Sequence, residues 1–97
     1  MGSQGTAEVN FGVHPGATHA TIAVTGQATI ASGSLVEAWI RPVASADHSE
    51  DEHMVENLRV IARDIIAGTG FTIHVTEGPD NGESKPWGRW TLAWVWN

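Results

Sequence analysis

Ninety-seven residues with five Lys or Arg against eleven Asp or Glu, a formal charge of −6 and no cysteine give room for one domain and one core and exclude disulfides. The five cations, Arg41, Arg59, Arg63, Lys85 and Arg89, form no stripe able to follow a phosphate backbone, so neither nucleic acid nor an anionic membrane is an expected partner. No apolar run approaches the ~20 residues of a bilayer span, and Met1–Gly5 lacks the charged and apolar regions of a signal peptide. A chain this short buries only about 60–70% of its unfolded surface, so an oligomer, a metal or an unusually good core is needed.

Taken in chain order, glycines divide the sequence into strand-sized pieces. Thr6–Phe11 forms a short extended piece, with residues 1–16 as a candidate N-terminal arm. Val13-His14-Pro15-Gly16 is a turn, proline setting φ and glycine accepting a positive one. From Ala17 to Thr25, Thr18, Ala20, Ile22 and Val24 alternate with His19, Thr21, Ala23 and Thr25, the period of a half-buried strand. Gly26-Gln27 interrupts it and Ala28-Thr29-Ile30 resumes it. Leu35–Ile40 is apolar on both faces apart from Glu37, which predicts a central strand, ended by Arg41-Pro42.

The next stretch is acidic, with Asp47, Glu50, Asp51, Glu52 and Glu56, and reads as a solvated loop or the start of a helix. Over Met54–Ile66 two patterns compete. Ser49 and Glu52 make a capping box, Met54, Leu58, Ile61 and Ile65 keep helical spacing, and Gly68 stands where a C-terminal glycine belongs. Yet Leu58, Val60 and Ala62 alternate with polar neighbours, and Val60-Ile61 and Ile65-Ile66 are β-branched. Phe71, Ile73 and Val75 alternate with Thr72, His74 and Thr76, the clearest strand in the chain. Gly78–Gly82 is a loop with an Asn-Gly turn signal, and a last strand runs from Trp87 to the terminus. Short strands with turns between them predict an all-β sandwich or small barrel, with room for one short helix within 50–66.

Four of the five tryptophans, Trp87, Trp90, Trp94 and Trp96, lie in the last eleven residues. In a strand, Trp90, Leu92, Trp94 and Trp96 share one face and Thr91, Ala93 and Val95 the other. A strand apolar on both faces has to be covered on both. Two coverings are open: the domain's own core, or a subunit interface in which Trp94 and Trp96 above all meet another copy.

The one polar constellation is Asp47-His48-Ser49-Glu50-Asp51-Glu52-His53. Its spacing matches neither the His-Glu-x-x-His zinc motif nor an EF-hand, so a solvated acidic loop is expected rather than a metal site; His48, Asp51 and His53 are the residues an ion would use. His14, His19 and His74 read as isolated surface residues. No Gly-x-Ser-x-Gly elbow, cysteine nucleophile, Walker loop or Rossmann fingerprint is present. No enzyme, catalytic residue or cofactor is expected.

Val9-Asn10-Phe11-Gly12 with Pro15-Gly16, Val36–Ile40, Ala46-Asp47-His48 with Asp51-Glu52-His53, Gly68–Ile73 and the closing Trp90–Trp96 stand in this order along nearly the whole chain. Together they resemble a group of small virion proteins of tailed bacteriophages and prophages. The resemblance implies a β-rich structural protein, a capsid decoration protein or a tail or tail-fibre component. It would form homo-oligomers, trimers above all, meet other virion proteins, and be assembled in the bacterial host cytoplasm. On a tail fibre it would bind host-surface carbohydrate. The resemblance also tilts segment 54–66 towards strand.

Overall fold

The alternation read in the sequence settles into six antiparallel strands and one short helix in the computed structural model, which describes residues 2–12, 19–55, 58–77 and 87–97. They are β1 (Ser3–Asn10), β2 (His19–Val24), β3 (Val36–Ile40), α1 (Glu50–Val55), β4 (Leu58–Ile66), β5 (Gly70–Glu77) and β6 (Arg89–Trp96). One sheet has the order β1-β6-β3 and the other β2-β5-β4. β1 packs beside β2 and β3 beside β4, making a small all-β sandwich.

Register keeps every apolar set on one face. In the second sheet Ile22 opposes Ile73, Val24 opposes Phe71, and Val60 opposes Val75; Phe71, Ile73 and Val75 are buried. In the first, Trp90, Leu92, Trp94 and Trp96 point inward from the central strand and are flanked by Val9, Ala7, Gly5 and Ser3 on one side. Ile40, Ala38 and Val36 flank the last three on the other.

Several sequence expectations are corrected. Residues 3–10 are not an arm but a strand paired along its length with β6. Ala28-Thr29 is a turn rather than a resumed strand, although Ile30 is buried. β3 lies at a sheet edge, not in the middle, which leaves Leu35 and Trp39 exposed. The turn at Val13–Gly16 and the loop at Gly78–Gly82 lie outside the described residues.

The disputed stretch is both things in succession. The acids after Ser49 open a six-residue helix, and the alternation of Leu58, Val60 and Ala62 is that of β4, with these three packed against the core. Helical spacing through Ile61 and Ile65 was coincidence produced by a break in strand phase. The ladder shifts register between Arg63 and Ile66, and Asp64 takes a left-handed φ of 61°, a conformation Asp tolerates better than most residues. This bulge turns Asp64 outward and returns Ile65 to the core. Gly68 is a hairpin residue at φ 76°, not a helix cap.

Candidate functional site

The acidic constellation finishes an incomplete sheet edge. β3 stays with β6 as far as Arg41, whose N–H reaches Thr91 O at 3.0 Å, and Pro42 then leads the chain away. The backbone of β6 from Thr91 back to Trp87 is met instead by side chains of the following loop. Thr91 N–H donates to His53 Nε2 at 2.9 Å, and Arg89 N–H to Asp47 Oδ2 at 2.7 Å. Arg89 O accepts from Ser45 Oγ at 2.6 Å, and Trp87 O from His48 Nε2 at 2.6 Å. These side chains act as a surrogate strand, answering the need to satisfy buried backbone groups. The loop comes close enough because residue 88 is glycine: its φ is +72°, and a Cβ there would stand 2.8 Å from the Asp47 Cβ.

His48 and His53 are therefore buried, which corrects the expectation of a solvated loop. His48 stacks on Trp90 with centroids 3.8 Å apart, and His53 meets the same indole edge-on at 4.9 Å. The partners dictate the His53 tautomer. A backbone N–H can only donate, so Nε2 accepts; Ser49 O can only accept, so Nδ1–H donates to it at 2.7 Å. Both His53 ring nitrogens are committed to backbone partners. Among the described residues no group of three or more His, Asp or Glu is placed to hold a metal ion.

The tryptophan expectation is also revised. Trp90, Trp94 and Trp96 lie in the chain's own core, 2%, 7% and 4% exposed, so the interface reading fails for these three. Small neighbours make the room: Trp94 sits between Gly5 and Ala38, and Trp96 between Ser3 and Val36. Two indole N–H groups have partners, Trp96 Nε1 on Gln27 Oε1 at 2.9 Å and Trp90 Nε1 on Trp87 O at 3.1 Å. Trp87 remains partly exposed at 36%, and the most exposed indole is Trp39 at 45%.

Trp39 projects from the outer face of β3 opposite Ala93. On one side it borders a shallow depression of about 410 Å³ lined by Gln4, Gly5, Thr6, Arg41, Ala93 and Trp94. On the other it borders a groove of about 450 Å³ between the β3 and β4 edges, lined by Ala38, Ile40, Pro42, His53, Leu58 and Val60. The paired bonds of Leu35 with Asn97 and the Arg41 bond to Thr91 set the alternation along β3. They turn the backbone groups of Val36, Ala38 and Ile40 away from β6, and no described strand pairs with them.

On the opposite outer face the structure joins two histidines the sequence left apart. His19 and His74 occupy diagonal positions of the β2–β5 ladder, with His19 Nε2 3.3 Å from His74 Nδ1. His74 Nε2 donates to Asp64 Oδ2 at 2.8 Å, while Asp64 Oδ1 accepts from Arg63 Nε at 3.1 Å. These bonds, the one from His74 foremost, lower the Asp64 pKa below its usual value. The outward phase of His19 and His74 was legible in the sequence. Their meeting depended on the strand order, and Asp64 joins them only through the bulge.

The chain is thus a two-sheet, mainly β sandwich in which side chains complete part of the β6 edge and no described strand pairs with the outer edge of β3. No family model, curated protein or solved structure matches it. No helix among the described residues is long and apolar enough to cross a membrane.

Proposed function

We propose that this chain is a structural protein of a tailed-bacteriophage particle, of the capsid-decoration kind, which works by packing with copies of itself. The observation that carries the reading is the outer edge of β3, which no described strand pairs. Exposed edges are ordinarily blunted by charge, bulges or cover. β4 has Arg59, Arg63 and the Asp64 bulge. β3, which like β1 carries one charge, sets the exposed Trp39 indole beside a groove lined by Ala38, Ile40, Pro42, His53, Leu58 and Val60, and tryptophan is enriched at the centre of protein interfaces. A second copy is the occupant, in a closed assembly for which three-fold symmetry is favoured. The ordered resemblance to phage virion proteins supports the same reading, as does the need of a short, cysteine-free chain for added burial. Light scattering at micromolar concentration tests it: an oligomer dispersed by Trp39→Ala is expected, and a wild-type monomer overturns it.

A second reading has its own observation. The Trp39 indole stands beside the polar side chains of Gln4, Thr6 and Arg41 around the shallow depression, an aromatic plate with hydrogen-bonding groups at its rim. Host-surface carbohydrate on a tail fibre fits that chemistry. Sugar-dependent quenching of emission, lost in Trp39→Ala, distinguishes it from self-packing.

A further inference from the structure

The geometry points to a divalent transition-metal site at His19 and His74, with Asp64 orienting His74 from behind. This surface lies on the sheet opposite Trp39 and is independent of the function proposed above.

Tautomer logic shows why the pair is suited to an ion. The Asp64 carboxylate can only accept, so the proton it holds is on His74 Nε2. In the neutral ring that places the lone pair on His74 Nδ1, facing His19 Nε2. The ring centroids are 5.5 Å apart and the planes 17° apart, and the shorter nitrogen separation of 3.3 Å places both nitrogens between the rings. Two nitrogens bound to one tetrahedral zinc at about 2.0–2.1 Å are roughly 3.3–3.4 Å apart. The pair already has the spacing of one edge of such a tetrahedron. A pivot of each ring aims both lone pairs at a common outer point. The His19 proton moves to its Nδ1, and the ion takes the place of the N–H···N bond.

Asp64 completes the arrangement that metal-binding histidines ordinarily carry, a carboxylate on the far ring nitrogen that fixes the tautomer and raises basicity. The opposing charges on this face are Arg59, opposite Thr76, and Arg63, opposite Thr72. Arg63 is paired with Asp64. His19 is exposed and His74 half-buried, so water completes the coordination. Hard cations are excluded by the donor set, since magnesium and calcium take oxygen ligands.

Calorimetric titration of the full chain with zinc ions alone at neutral pH tests the site. One equivalent per chain is expected, absent in His19→Ala and in His74→Ala and weakened about tenfold or more in Asp64→Asn, with no binding of magnesium. Near-UV circular dichroism of each variant verifies that the sandwich is intact. Zinc binding that survives in the His19→Ala/His74→Ala double variant, or its absence in the wild type, overturns the assignment. Unchanged affinity in Asp64→Asn overturns the role given to that carboxylate.

Discussion

Trp94 packs against Gly5, its direct partner on β1, so closely that a Cβ on residue 5 would stand 2.6 Å from Cζ2 of the indole. Gly5 is not among the positive-φ residues, so the backbone there suits alanine. Glycine in a strand is ordinarily the poorer residue by roughly 0.5–1 kcal/mol. The contact reverses that sign. Gly5→Ala is expected to destabilise the fold by about 1–3 kcal/mol through overpacking, measured by urea denaturation, with an altered near-UV spectrum from Trp94. A more stable variant would show that the indole can move aside at no cost.

His53 is expected to matter more for folding than any surface position of the acidic loop. His53→Ala leaves the Thr91 N–H without its acceptor inside the protein and opens space beside Trp90. The loss should be about 3 kcal/mol, read as a lower denaturation midpoint. A loss below about 1 kcal/mol would mean that strand β6 does not depend on this surrogate partner.

Thr91 makes the opposite case. Its backbone is engaged by Arg41 and His53, but its buried Oγ1 has no hydrogen-bond partner among the described residues. Thr91→Val keeps the shape and removes an unsatisfied hydroxyl, and should be neutral or stabilising by up to about 1 kcal/mol. Marked destabilisation would reveal a partner for the hydroxyl.

Trp39 and Trp94 should separate association from folding. Trp39→Ala is expected to change the stability of the single chain by less than about 1 kcal/mol while reducing the scattering mass. Trp94→Ala should cost about 3–5 kcal/mol. In the dissociated single chain, emission should combine blue-shifted light from the three core indoles with a red component from Trp39 and Trp87, and association should shift the Trp39 part of it to the blue. Equal stability losses in the two variants would contradict the difference in burial.

Asp64 sets a pH dependence whose sign follows from its lowered pKa. Because the folded-state value lies below the ordinary value of 3.8, the carboxylate's bonds to His74 and Arg63 contribute stability above that value. The contribution is lost as pH falls through the lowered folded value. Comparing wild type with Asp64→Asn in acid titrations of stability should show a slope below about pH 4 that the variant lacks. Identical acid profiles would contradict it.

The sequence by itself determined the alternating strands and their inward faces, because a period of two survives whatever neighbour a strand acquires. Phe71–Val75 and Trp90–Trp96 were legible for that reason, and so were the short helix after Ser49 and the end of β3 at Pro42. Tertiary structure alone decided which strands are neighbours, and with that everything depending on a partner across the sheet. It placed Gly5 and Ala38 on either side of Trp94 and so gave a small domain room for indoles that local pattern could not seat. It put β3 at an edge, where Trp39 is exposed, and sent Trp90, Trp94 and Trp96 into the core. It carried His48 and His53 from an acidic run onto the backbone of β6, and brought His19 to His74. Residues 19 and 74 are far apart along the chain, and only the β2–β5 register and the one-residue bulge at Asp64 make the three side chains neighbours.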